Sequence, residues 1–376
     1  MAGGRKPLVV VAAGGTGGHL FPAEALSVAL QRRGIAVDLA TDERATRYGT
    51  TFPARATHVI ASATVRGRNP ISLITTATVL AYGLARAFSL FGRLKPAAVI
   101  GFGGYPTIPP VLAASLRGIP TLIHEQNGVL GRANRLLSGR VRALATGFPG
   151  VIDRKPLLAV KATHTGNPVR AAVIEASRIP YPPVEPTGPF HLLAFGGSQG
   201  ARIMADIVPP AIGHLPADLR QRLSVVQQAR EEDLAHVRDT YARLNVTAEV
   251  APFFSDLPAR IANAHLIVSR AGASTVAELA AIGRPAILVP LPHALDQDQL
   301  ANASVLERAG GAVCVNQKSF SAKWLSGEIA RLAATPQKLV AMAAAARSVG
   351  AVDAADRLAE LVISVAQLDN KVGQVS

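Results

Sequence analysis

Two stretches of the chain share one pattern and together decide its fold: LVVVAAGGTGGHLFPAEALSVAL at residues 8–30 and FHLLAFGGSQGARIMADI at residues 190–207. Each runs from a short apolar strand, through a glycine turn that contains a hydroxyl residue, into a helical pattern. Such a turn exposes backbone N–H groups at the start of a helix, where the helix dipole favours an anion. One glycine turn is weak evidence, because glycines also end strands for steric reasons. Two such turns, one in each half, predict twin Rossmann-like domains.

Short apolar strands alternate with helical segments along the rest of the chain, which indicates parallel α/β sheets. The predicted strands of the first half are Leu8–Ala13, Ala36–Ala40, Thr57–Ile60, Ala97–Gly101, Thr121–His124 and Ala143–Thr146. Those of the second half are Phe190–Phe195, Ser224–Gln227, Ala248–Val250, Leu266–Ser269, Ala286–Val289 and Ala312–Val315. Predicted helices include Pro22–Arg33 and Ile108–Arg117. We therefore expect an α/β fold of two Rossmann-like domains facing across a cleft, with ligands outside the carboxyl ends of the strands.

Dense proline between residues 179 and 189 predicts a stiff, extended connection and marks the domain boundary. We expect an N-terminal domain over residues 1–165, a linker over 166–189, a C-terminal domain over 190–350 and a helical tail over 351–376.

The charge is unevenly placed. The chain carries a net +14, and residues 1–165 hold 20 Lys and Arg against 6 Asp and Glu, whereas the remainder holds 19 of each. A basic half predicts an anionic partner such as a phosphorylated substrate, an anionic lipid or nucleic acid. Nucleic acid is disfavoured, because aromatic content is 5% and no recognition motif is present. The single cysteine, Cys314, excludes an intrachain disulfide framework and fits a reducing compartment.

One apolar segment, Ile71–Ala85 with its continuation to Phe91, is flanked by Arg66, Arg68, Arg93 and Lys95. It is interrupted by Arg86, so we expect neither a transmembrane helix nor a signal peptide. An apolar helix bracketed by basic residues suits the surface of a membrane. An ordinary core helix is an equal alternative. The residues predicted to dock are Ile71, Leu73, Ile74, Leu80, Phe88 and Phe91.

Polar residues gather where the predicted strands of the first half end. His19 follows the first glycine turn, and we expect it at the entrance of a helix that begins near Phe21 or Pro22. That position disfavours an imidazolium and suits a neutral general base, although a capping or loop histidine is the alternative. The segment Gly101–Pro106 forms another turn of exposed backbone. The sequence HEQN at residues 124–127 places four polar residues at a strand end, where sites are built and where turn residues also occur.

The second half offers a helix start at Ser269–Glu278. Its N-terminus can face a diphosphate, and the carboxylate of Glu278 can accept hydrogen bonds from ribose hydroxyls. The same residues also fit a capping box, Thr275-x-x-Glu278. The pair of carboxylates at Asp296 and Asp298 could hold Mn²⁺, but helix N-termini and Arg can neutralise a diphosphate instead. We expect no metal, and the chain has no Cys/His cluster with zinc spacing.

Seven segments in this order resemble the MurG family, bacterial transferases that add GlcNAc to lipid I to make lipid II. They are GGTGGHLFPAEALSVAL from Gly14, GFGGYPTIPPVLAA from Gly101, HEQNGVLGRANRLL from His124, GNPVR from Gly166, FGGSQGARIMAD from Phe195, SRAGASTVAEL from Ser269 and PHALDQDQLANA from Pro292. They cover nearly the whole chain, and only residues 66–96 match in character alone.

The resemblance implies a GT-B fold and an inverting, metal-independent transfer without a cofactor, from UDP-GlcNAc to the 4-hydroxyl of the MurNAc of lipid I. The C-terminal domain would bind the donor and the N-terminal domain the acceptor. The implied donor contacts are Thr16, Gly17, Gly18, Asn127, Arg170, Ser198, Phe254 through its backbone, Ala273, Ser274, Thr275, Val276, Ala277, Glu278 and Gln299. The catalytic base would be His19 or, as second choice, Glu125. The acceptor diphosphate would lie against Gly14, Gly15, Gly103, Gly104 and Tyr105.

The resemblance also implies a peripheral protein at the cytoplasmic face of the bacterial inner membrane. Its partners would be UDP-GlcNAc, lipid I, the anionic membrane surface and other cell-wall synthesis proteins, and not nucleic acid. The alternatives are a glycolipid synthase, a UDP-GlcNAc 2-epimerase and a non-catalytic UDP-GlcNAc sensor. An epimerase needs no lipid, so the basic and apolar face argues against it.

Overall fold

The structure is a computed structural model that describes residues 6–14, 17–43, 52–63, 70–153, 155–197, 200–292 and 294–369, and all of their side chains except those of residues 70–73 and 295. The chain divides into two compact units. Unit 1 comprises Met1–Arg170 and Asp353–Ser376, and unit 2 comprises Ala171–Val352. Each unit is an α/β domain with its own parallel sheet.

Unit 1 is built on a seven-stranded parallel sheet in the order β3-β2-β1-β4-β5-β6-β7. Its strands are β1 Leu8–Ala12, β2 Ala36–Thr41, β3 Ala56–Val59, β4 Ala98–Gly101, β5 Thr121–Glu125, β6 Ala143–Thr146 and β7 Ala162–His164. All residues of β1 and β4 are buried. Strands covered by helices on both faces read as unbroken apolar runs. The strand order reverses between β1 and β4, the switch point at which such sheets bind ligands.

Helices cover both faces of this sheet. They are α1 Gly17–Arg32, α2 Pro70–Leu94, α3 Ile108–Leu116, α4 Arg132–Leu137, α5 Pro156–Ala159 and α15 Ala354–Val365. Helices α1 and α15 share one hydrophobic cluster with Val9 of β1. Helices α2, α3 and α4 share a second cluster with the neighbouring Val10. Because successive side chains of a strand point to opposite faces, the two clusters lie on opposite sides of the sheet.

Unit 2 is built on a six-stranded parallel sheet in the order β10-β9-β8-β11-β12-β13. Its strands are β8 Phe190–Phe195, β9 Leu223–Gln228, β10 Thr247–Ala251, β11 Leu266–Ser269, β12 Ala286–Leu288 and β13 Ala312–Cys314. Its helices are α6 Ala171–Ser177, α7 Arg202–Gly213, α8 Ala217–Gln221, α9 Leu234–Arg243, α10 Leu257–Asn263, α11 Ala273–Ile282, α12 Asp298–Ala309, α13 Ala322–Ala333 and α14 Pro336–Ser348. The switch point lies between β8 and β11. Both sheets therefore have the strand order of a Rossmann-like domain, as predicted.

The proline-rich segment belongs to unit 2 and is not a separate linker. The guanidinium of Arg284, which is 1% exposed, donates to the carbonyl oxygens of Ile179 and Pro180 at 2.9 Å each. The hydroxyl of Tyr181 donates to the carbonyl oxygen of His265 at 2.8 Å. These bonds hold the segment against unit 2, so the boundary lies between Arg170 and Ala171 instead of across residues 166–189.

The C-terminal helix is part of unit 1 and not a separate tail. Leu358 and Val362 of α15 are fully buried in the cluster that also contains Leu26 of α1. Asp356 of α15 accepts a hydrogen bond from Arg33 of α1 at 2.7 Å. The apolar residues of α15 indicate that the helix packs against another element, and the structure identifies α1 as that element.

Two local predictions differ from the structure. Helix α1 begins at Gly17, so Pro22 lies inside it. A proline in the second turn removes the hydrogen bond to the carbonyl of Gly18, and its ring crowds that carbonyl. Strand β7, Ala162–His164, was not predicted. It is a three-residue edge strand with half-buried or exposed side chains, and so it has no apolar run to reveal it.

Candidate functional site

The carboxyl edge of the first sheet carries the loop between β1 and α1. A Cβ atom at Gly14 would lie 3.0 Å from the Oδ1 atom of Asp42 and from the side chain of Pro106, so the backbone there has no room for a side chain. Gly15, a predicted acceptor contact, and Thr16, a predicted donor contact, lie outside the described residues. Close packing against Asp42 and Pro106 therefore requires glycine at position 14, which is buried.

His19 is the third residue of α1 and is half-buried. It follows Gly17 and Gly18, which form the first turn instead of preceding the helix. A Cβ atom at Gly103 would lie 3.4 Å from Cε1 of His19, and one at Gly104 would lie 3.5 Å from its Nε2. The φ angles of these two glycines are 79° and 72°, which a residue with a side chain rarely adopts. The glycine turn after β4 thus meets the imidazole with bare backbone, and half-buried Tyr105 follows it.

The imidazole of His19 is held from the end of β5. Its Nδ1 atom lies 3.1 Å from Oε1 of Gln126. The Nε2 atom of Gln126 donates to the carbonyl of His124 at 2.9 Å and lies 3.0 Å from Nδ1 of the same histidine. The Nε2 atom of His124 lies 3.0 Å from the carbonyl oxygen of Gly166. The sequence places Gln126 and His124 in a polar group at a strand end but assigns neither a role.

Glu125 has no oxygen free for a substrate proton. Its two carboxylate oxygens accept hydrogen bonds from the backbone N–H groups of Asn127 at 3.0 Å and Gly131 at 2.8 Å, and from the side-chain amides of Asn127 at 3.2 Å and Asn134 at 2.8 Å. The residue is 1% exposed. This geometry argues against Glu125 as the base. The carboxylate instead holds the loop that carries Asn127 to the start of α4, and Asn134 is a partner that sequence reasoning missed.

Arg170 ends unit 1 beside the first turns of α1. Its guanidinium carbon lies 4.1 Å from the ring centroid of Phe21. Burial raises the pKa of Glu24 on the same helix, and the nearby charge of Arg170 lowers it in part. The helix start and the glycine turn therefore have a cation close by, which suits an anionic ligand.

In unit 2 the loop after β8 is the counterpart of the first glycine turn. A Cβ atom at Gly196 would collide with the backbone at the end of its own loop, and Gly200 has a φ of 67°. The side chain of Gln228 accepts from the N–H of Gly196 and donates to the carbonyl of Pro252, at 3.1 Å each. Gln228 thus joins two loops at the carboxyl edge of the sheet, a role that the sequence does not indicate. Ser198 lies outside the described residues.

The second of these loops carries Phe254. Its side chain is 7% exposed, and the guanidinium carbon of Arg260 lies 4.2 Å from its ring centroid. The neighbouring Phe253 is 70% exposed. Because the side chain of Phe254 is packed inward, what this residue can offer a ligand is its backbone, which is the contact that the resemblance implies.

Helix α11 starts at the switch point of unit 2. Its N-cap is Gly272, with no capping side chain, so Thr275 is the third helical residue and not a cap. The capping-box interpretation of Thr275 and Glu278 is therefore wrong. Predicted donor contacts occupy the first six helical positions: Ala273, Ser274, Thr275, Val276, Ala277 and Glu278. The N–H groups at a helix start are suited to an anion, and the carboxyl of Glu278, 6% exposed, lies in the second turn.

Buried side chains hold the loop that precedes α11. Arg270, 8% exposed, donates to the carbonyl of Val289 at 3.0 Å and to Oε1 of Gln317 at 2.6 Å. The Oε1 atom of Gln299 accepts from the N–H groups of Ala271 at 3.3 Å and Leu291 at 3.1 Å. The Oε1 atom of Gln299 is therefore held by the backbone of two loops.

The aspartates at 296 and 298 do not form a metal cage in the described part of the chain. Asp296 is exposed with a φ of 56°, and Asp298 begins α12 and accepts from the N–H of Gln299 at 2.7 Å. Among the described residues, no group of three His, Cys, Asp or Glu is placed to hold an ion.

Helix α2 exposes much of its apolar surface. Ile74 is 67% exposed, Tyr82 57% and Phe88 40%, while Leu80 is half-buried. Phe91 is 1% exposed and belongs to the core cluster under the helix, so the prediction that it docks to a membrane is wrong. The side chains of Ile71 and Leu73 lie outside the description.

By length and composition alone, α2 could cross a membrane: Ile74–Leu94 has a mean hydropathy of 1.3 and a 22% buried share. That segment contains Arg86 and Arg93, so the expectation that α2 does not span a membrane stays a prediction. The helix nevertheless belongs to the α/β layers of unit 1, because Ala87 and Phe91 pack in the same cluster as Val111 of α3.

Twin Rossmann-like units, each with a backbone-lined switch-point site, are the class of structure that glycosyltransferases of the GT-B type adopt, and the comparisons identify the same class. Residues 9–146 match the glycosyltransferase family 28 N-terminal domain, and residues 191–358 match the glycosyltransferase family 28 C-terminal domain. The crystal structure of Acinetobacter baumannii MurG superposes with a TM-score of 0.76 at 31% identity, over 95% of this chain and 99% of that one. A UDP-N-acetylglucosamine 2-epimerase superposes with a TM-score of 0.66 at 16% identity, which shows the shared fold alone.

Two relatives share most of the sequence and carry the name UDP-N-acetylglucosamine--N-acetylmuramyl-(pentapeptide) pyrophosphoryl-undecaprenol N-acetylglucosamine transferase. The protein of Rhodopseudomonas palustris strain BisA53 is 59% identical over 97% of this chain and 98% of its own length. That of Bradyrhizobium diazoefficiens is 58% identical over 96% of this chain and 99% of its own length. The chain belongs to the MurG family of family 28 glycosyltransferases.

Proposed function

We propose that the protein transfers N-acetylglucosamine from UDP-GlcNAc to the 4-hydroxyl of the MurNAc of lipid I, which forms lipid II. The observation that carries the proposal is that the two switch points of this one chain hold different chemistry. Unit 1 presents an imidazole beside bare backbone, and unit 2 presents a helix N-terminus followed by a buried carboxylate. A base for a hydroxyl and a site for a nucleoside diphosphate are the two requirements of such a transfer. The names of the relatives supply the substrates.

Unit 2 is the proposed donor site. The N–H groups at the start of α11 and the glycine loop after β8 would bind the diphosphate. The carboxylate of Glu278 would accept hydrogen bonds from both ribose hydroxyls. The backbone of Phe254 and the NH₂ group of Gln299 would contact the rest of the nucleotide sugar. Gln228 and Arg270 support the proposal, because they fix the loops that these contacts require.

Unit 1 is the proposed acceptor site, with His19 as the general base. The 4-hydroxyl oxygen attacks the anomeric carbon while its proton passes to Nε2 of His19. The new C–O bond forms as the bond from the anomeric carbon to the UDP oxygen breaks, and UDP leaves with its negative charge. A single displacement inverts the anomeric centre, so no covalent carboxylate intermediate is required. The glycines at 14, 103 and 104 would give the acceptor diphosphate access to the backbone.

We further propose that the transfer needs no metal. The charge on departing UDP can be stabilised by the α11 N-terminus and by Arg170, which act where charge develops. Asp298 supports this proposal, because it begins α12 and its Oδ1 atom accepts a hydrogen bond from the N–H of Gln299 at 2.7 Å.

The proposed location is the cytoplasmic face of the bacterial inner membrane, with α2 as the docking element. Ile74, Tyr82 and Phe88 are exposed, and Arg86 and Arg93 are exposed on the same helix. Apolar side chains together with basic ones suit an anionic lipid surface, where lipid I is held by its polyprenyl chain.

The test is transfer of radiolabelled GlcNAc from UDP-GlcNAc to a lipid I analogue in the presence of EDTA, for the wild type, His19→Ala and Glu278→Ala. We expect transfer by the wild type and severe loss in both variants, with the donor KM raised in Glu278→Ala and kcat lowered in His19→Ala. Folded wild-type protein that binds UDP-GlcNAc without transferring it would contradict the proposal and favour an epimerase or a sensor.

A further inference from the structure

Four groups at the edge of the first sheet form one continuous hydrogen-bonded chain: the carbonyl of Gly166, His124, Gln126 and His19. Two of its members, His124 at 0% exposure and Gln126 at 2%, are shut off from water. Buried polar side chains in such a chain must satisfy one another, so the hydrogens can be assigned from the chain itself.

Two backbone carbonyls, those of Gly166 and His124, determine which atom donates in every bond of the chain. The carbonyl of Gly166 can only accept, so Nε2 of His124 carries a hydrogen. A neutral imidazole has one such hydrogen, so Nδ1 of His124 is an acceptor. The carbonyl of His124 can also only accept, and it lies 2.9 Å from Nε2 of Gln126. The NH₂ group of Gln126 therefore donates one hydrogen to that carbonyl and the other to the imidazole of His124.

With its NH₂ group committed in this way, Gln126 must present its carbonyl oxygen to His19. The 3.1 Å contact from that oxygen to Nδ1 of His19 is favourable only if Nδ1 is the protonated nitrogen. The neutral imidazole of His19 then has its lone pair on Nε2. The reverse orientation of the Gln126 amide would bring its oxygen against the carbonyl of His124, two acceptors in contact, which a buried site does not tolerate.

On the premise that His19 is the base of the proposed function, we propose that Gln126 and His124 are positioning residues that fix the tautomer of His19 and so direct its Nε2 lone pair to the acceptor hydroxyl.

The state of His124 supports this arrangement. Burial lowers its pKa to about 4, so it stays neutral across the pH range in which the enzyme would work and keeps Nδ1 as an acceptor. The other ionisable side chains on the surrounding elements include Glu125, Tyr105, Asp42, Glu24, Arg132, Arg135, Arg170 and His164, and the charge of His164 also lowers the pKa of His124. Of these, Glu125 is saturated by its own four donors. A neutral amide, and not a carboxylate, is therefore the group bonded to Nδ1 of His19 in the described contacts.

The direct test is the ¹⁵N spectrum of protein labelled at histidine, with the signals of His19 identified by their loss in His19→Ala. We expect the wild type to show a protonated Nδ1 and an unprotonated Nε2 for neutral His19. In Gln126→Met the fixed tautomer should be lost and the Nε2-protonated form should grow. A wild-type spectrum with Nε2 protonated would overturn the proposal, whatever the activity of the enzyme.

The kinetic test compares two substitutions of Gln126. Gln126→Met should lower kcat about 100-fold or more, because an imidazole in the wrong tautomer cannot accept the proton. It should leave the KM for UDP-GlcNAc nearly unchanged. Gln126→Glu keeps an acceptor at Nδ1 and adds a negative charge, so it should retain more activity than Gln126→Met. It should also move the acid limb of the kcat/KM profile to higher pH. Equal loss in both variants with no movement of the acid limb would contradict the proposal.

Two substitutions of His124 provide a second matched pair of variants. The side-chain oxygen of His124→Asn can replace Nδ1 as acceptor from Gln126, whereas His124→Leu cannot, so the asparagine variant should keep the tautomer and the leucine variant should lose it. Equal behaviour of the two would contradict the role of His124.

The control is Asn167→Ala. It removes a different buried bond of the same loop, from the Asn167 amide to the backbone carbonyl of Gln126 at 2.8 Å. It should lower stability without changing the tautomer of His19, and a changed tautomer would show that general loosening explains the effect. If the tautomers behave as expected but His19→Ala transfers normally, the role of His19 as base fails while its fixed tautomer stands. Wild-type protein that does not transfer GlcNAc would instead contradict the proposed function.

Discussion

Single residues at the edge of the first sheet decide which groups can reach a ligand. His19 faces Gly103 and Gly104, which place no side chain against its imidazole. Glu125 has carboxylate chemistry yet is closed by four donors. The sequence shows both as polar residues near strand ends, and the difference between them appears only when the hydrogen-bond partners are known. Those partners come from other strands and loops, so no local pattern could predict them.

Gly104 tests the importance of the bare backbone. Its φ of 72° and ψ of 159° lie in a region that is essentially restricted to glycine. Gly104→Ala should therefore lower the free energy of unfolding by about 1–3 kcal/mol. Its Cβ would also lie 3.5 Å from Nε2 of His19, so transfer should fall by at least about tenfold beyond any loss of folded protein.

The matched control is Gly118→Ala. Gly118 has a φ of 70° with nothing within 4 Å of its Cβ position, so that substitution should lower stability while transfer per folded molecule is kept. Thermal melts and transfer assays on both variants decide the matter, and equal activity in the two would contradict the steric role of Gly104.

His124 predicts a pH dependence of stability. Its folded-state pKa of about 4 lies below the ordinary value of 6.5 because burial disfavours the charged form. Between pH 4 and pH 6.5 the imidazole of His124 is protonated in the unfolded chain but not in the folded protein. The stabilisation that comes from keeping His124 neutral is therefore complete above pH 6.5 and is lost as the pH falls towards 4. Between pH 7 and pH 5 it should amount to about 2 kcal/mol. Urea unfolding followed by far-UV circular dichroism should show a smaller loss in His124→Asn, and an unchanged loss would contradict the assignment.

At the scale of helices and strands, the sequence predicted the central strands well, because strands buried on both faces appear as apolar runs. Prediction from the sequence failed for elements that are buried on one side only or only slightly. Edge strand β7 has too few buried residues to be recognised. In α2, apolar residues surround the helix, and the sequence alone could not show that Phe91 faces the core while Phe88, three residues earlier, is exposed.

The exposed face of α2 predicts membrane binding. Ile74→Glu together with Tyr82→Glu should weaken sedimentation with anionic phospholipid vesicles by at least tenfold, because burial of one large apolar side chain contributes about 1.5–3 kcal/mol. Transfer to lipid I in vesicles should fall with it, and transfer to a soluble acceptor analogue should not. The control pair is Val340→Glu with Val349→Glu, two exposed valines in or beside α14 of unit 2. Equal effects of the two pairs would show that added negative charge alone is responsible.

At the scale of the molecule, the two units should unfold as separate bodies with separate cores. The single tryptophan, Trp324, lies in α13 and reports unit 2 alone. Leu358→Ala removes a fully buried side chain of α15 and should destabilise unit 1 by about 2–5 kcal/mol without moving the fluorescence transition. Leu339→Ala in α14 should move that transition. A fluorescence shift caused by Leu358→Ala would show that the units unfold together.

The return of the chain into unit 1 has a consequence for synthesis on the ribosome. Unit 2 is a continuous stretch and can complete its core while translation continues. Unit 1 begins first, but the side of its sheet covered by α1 keeps apolar surface exposed until α15 has been made. The first part of unit 1 therefore remains incompletely packed until α15 has been synthesised, and in that interval it exposes an apolar surface to which chaperones would bind.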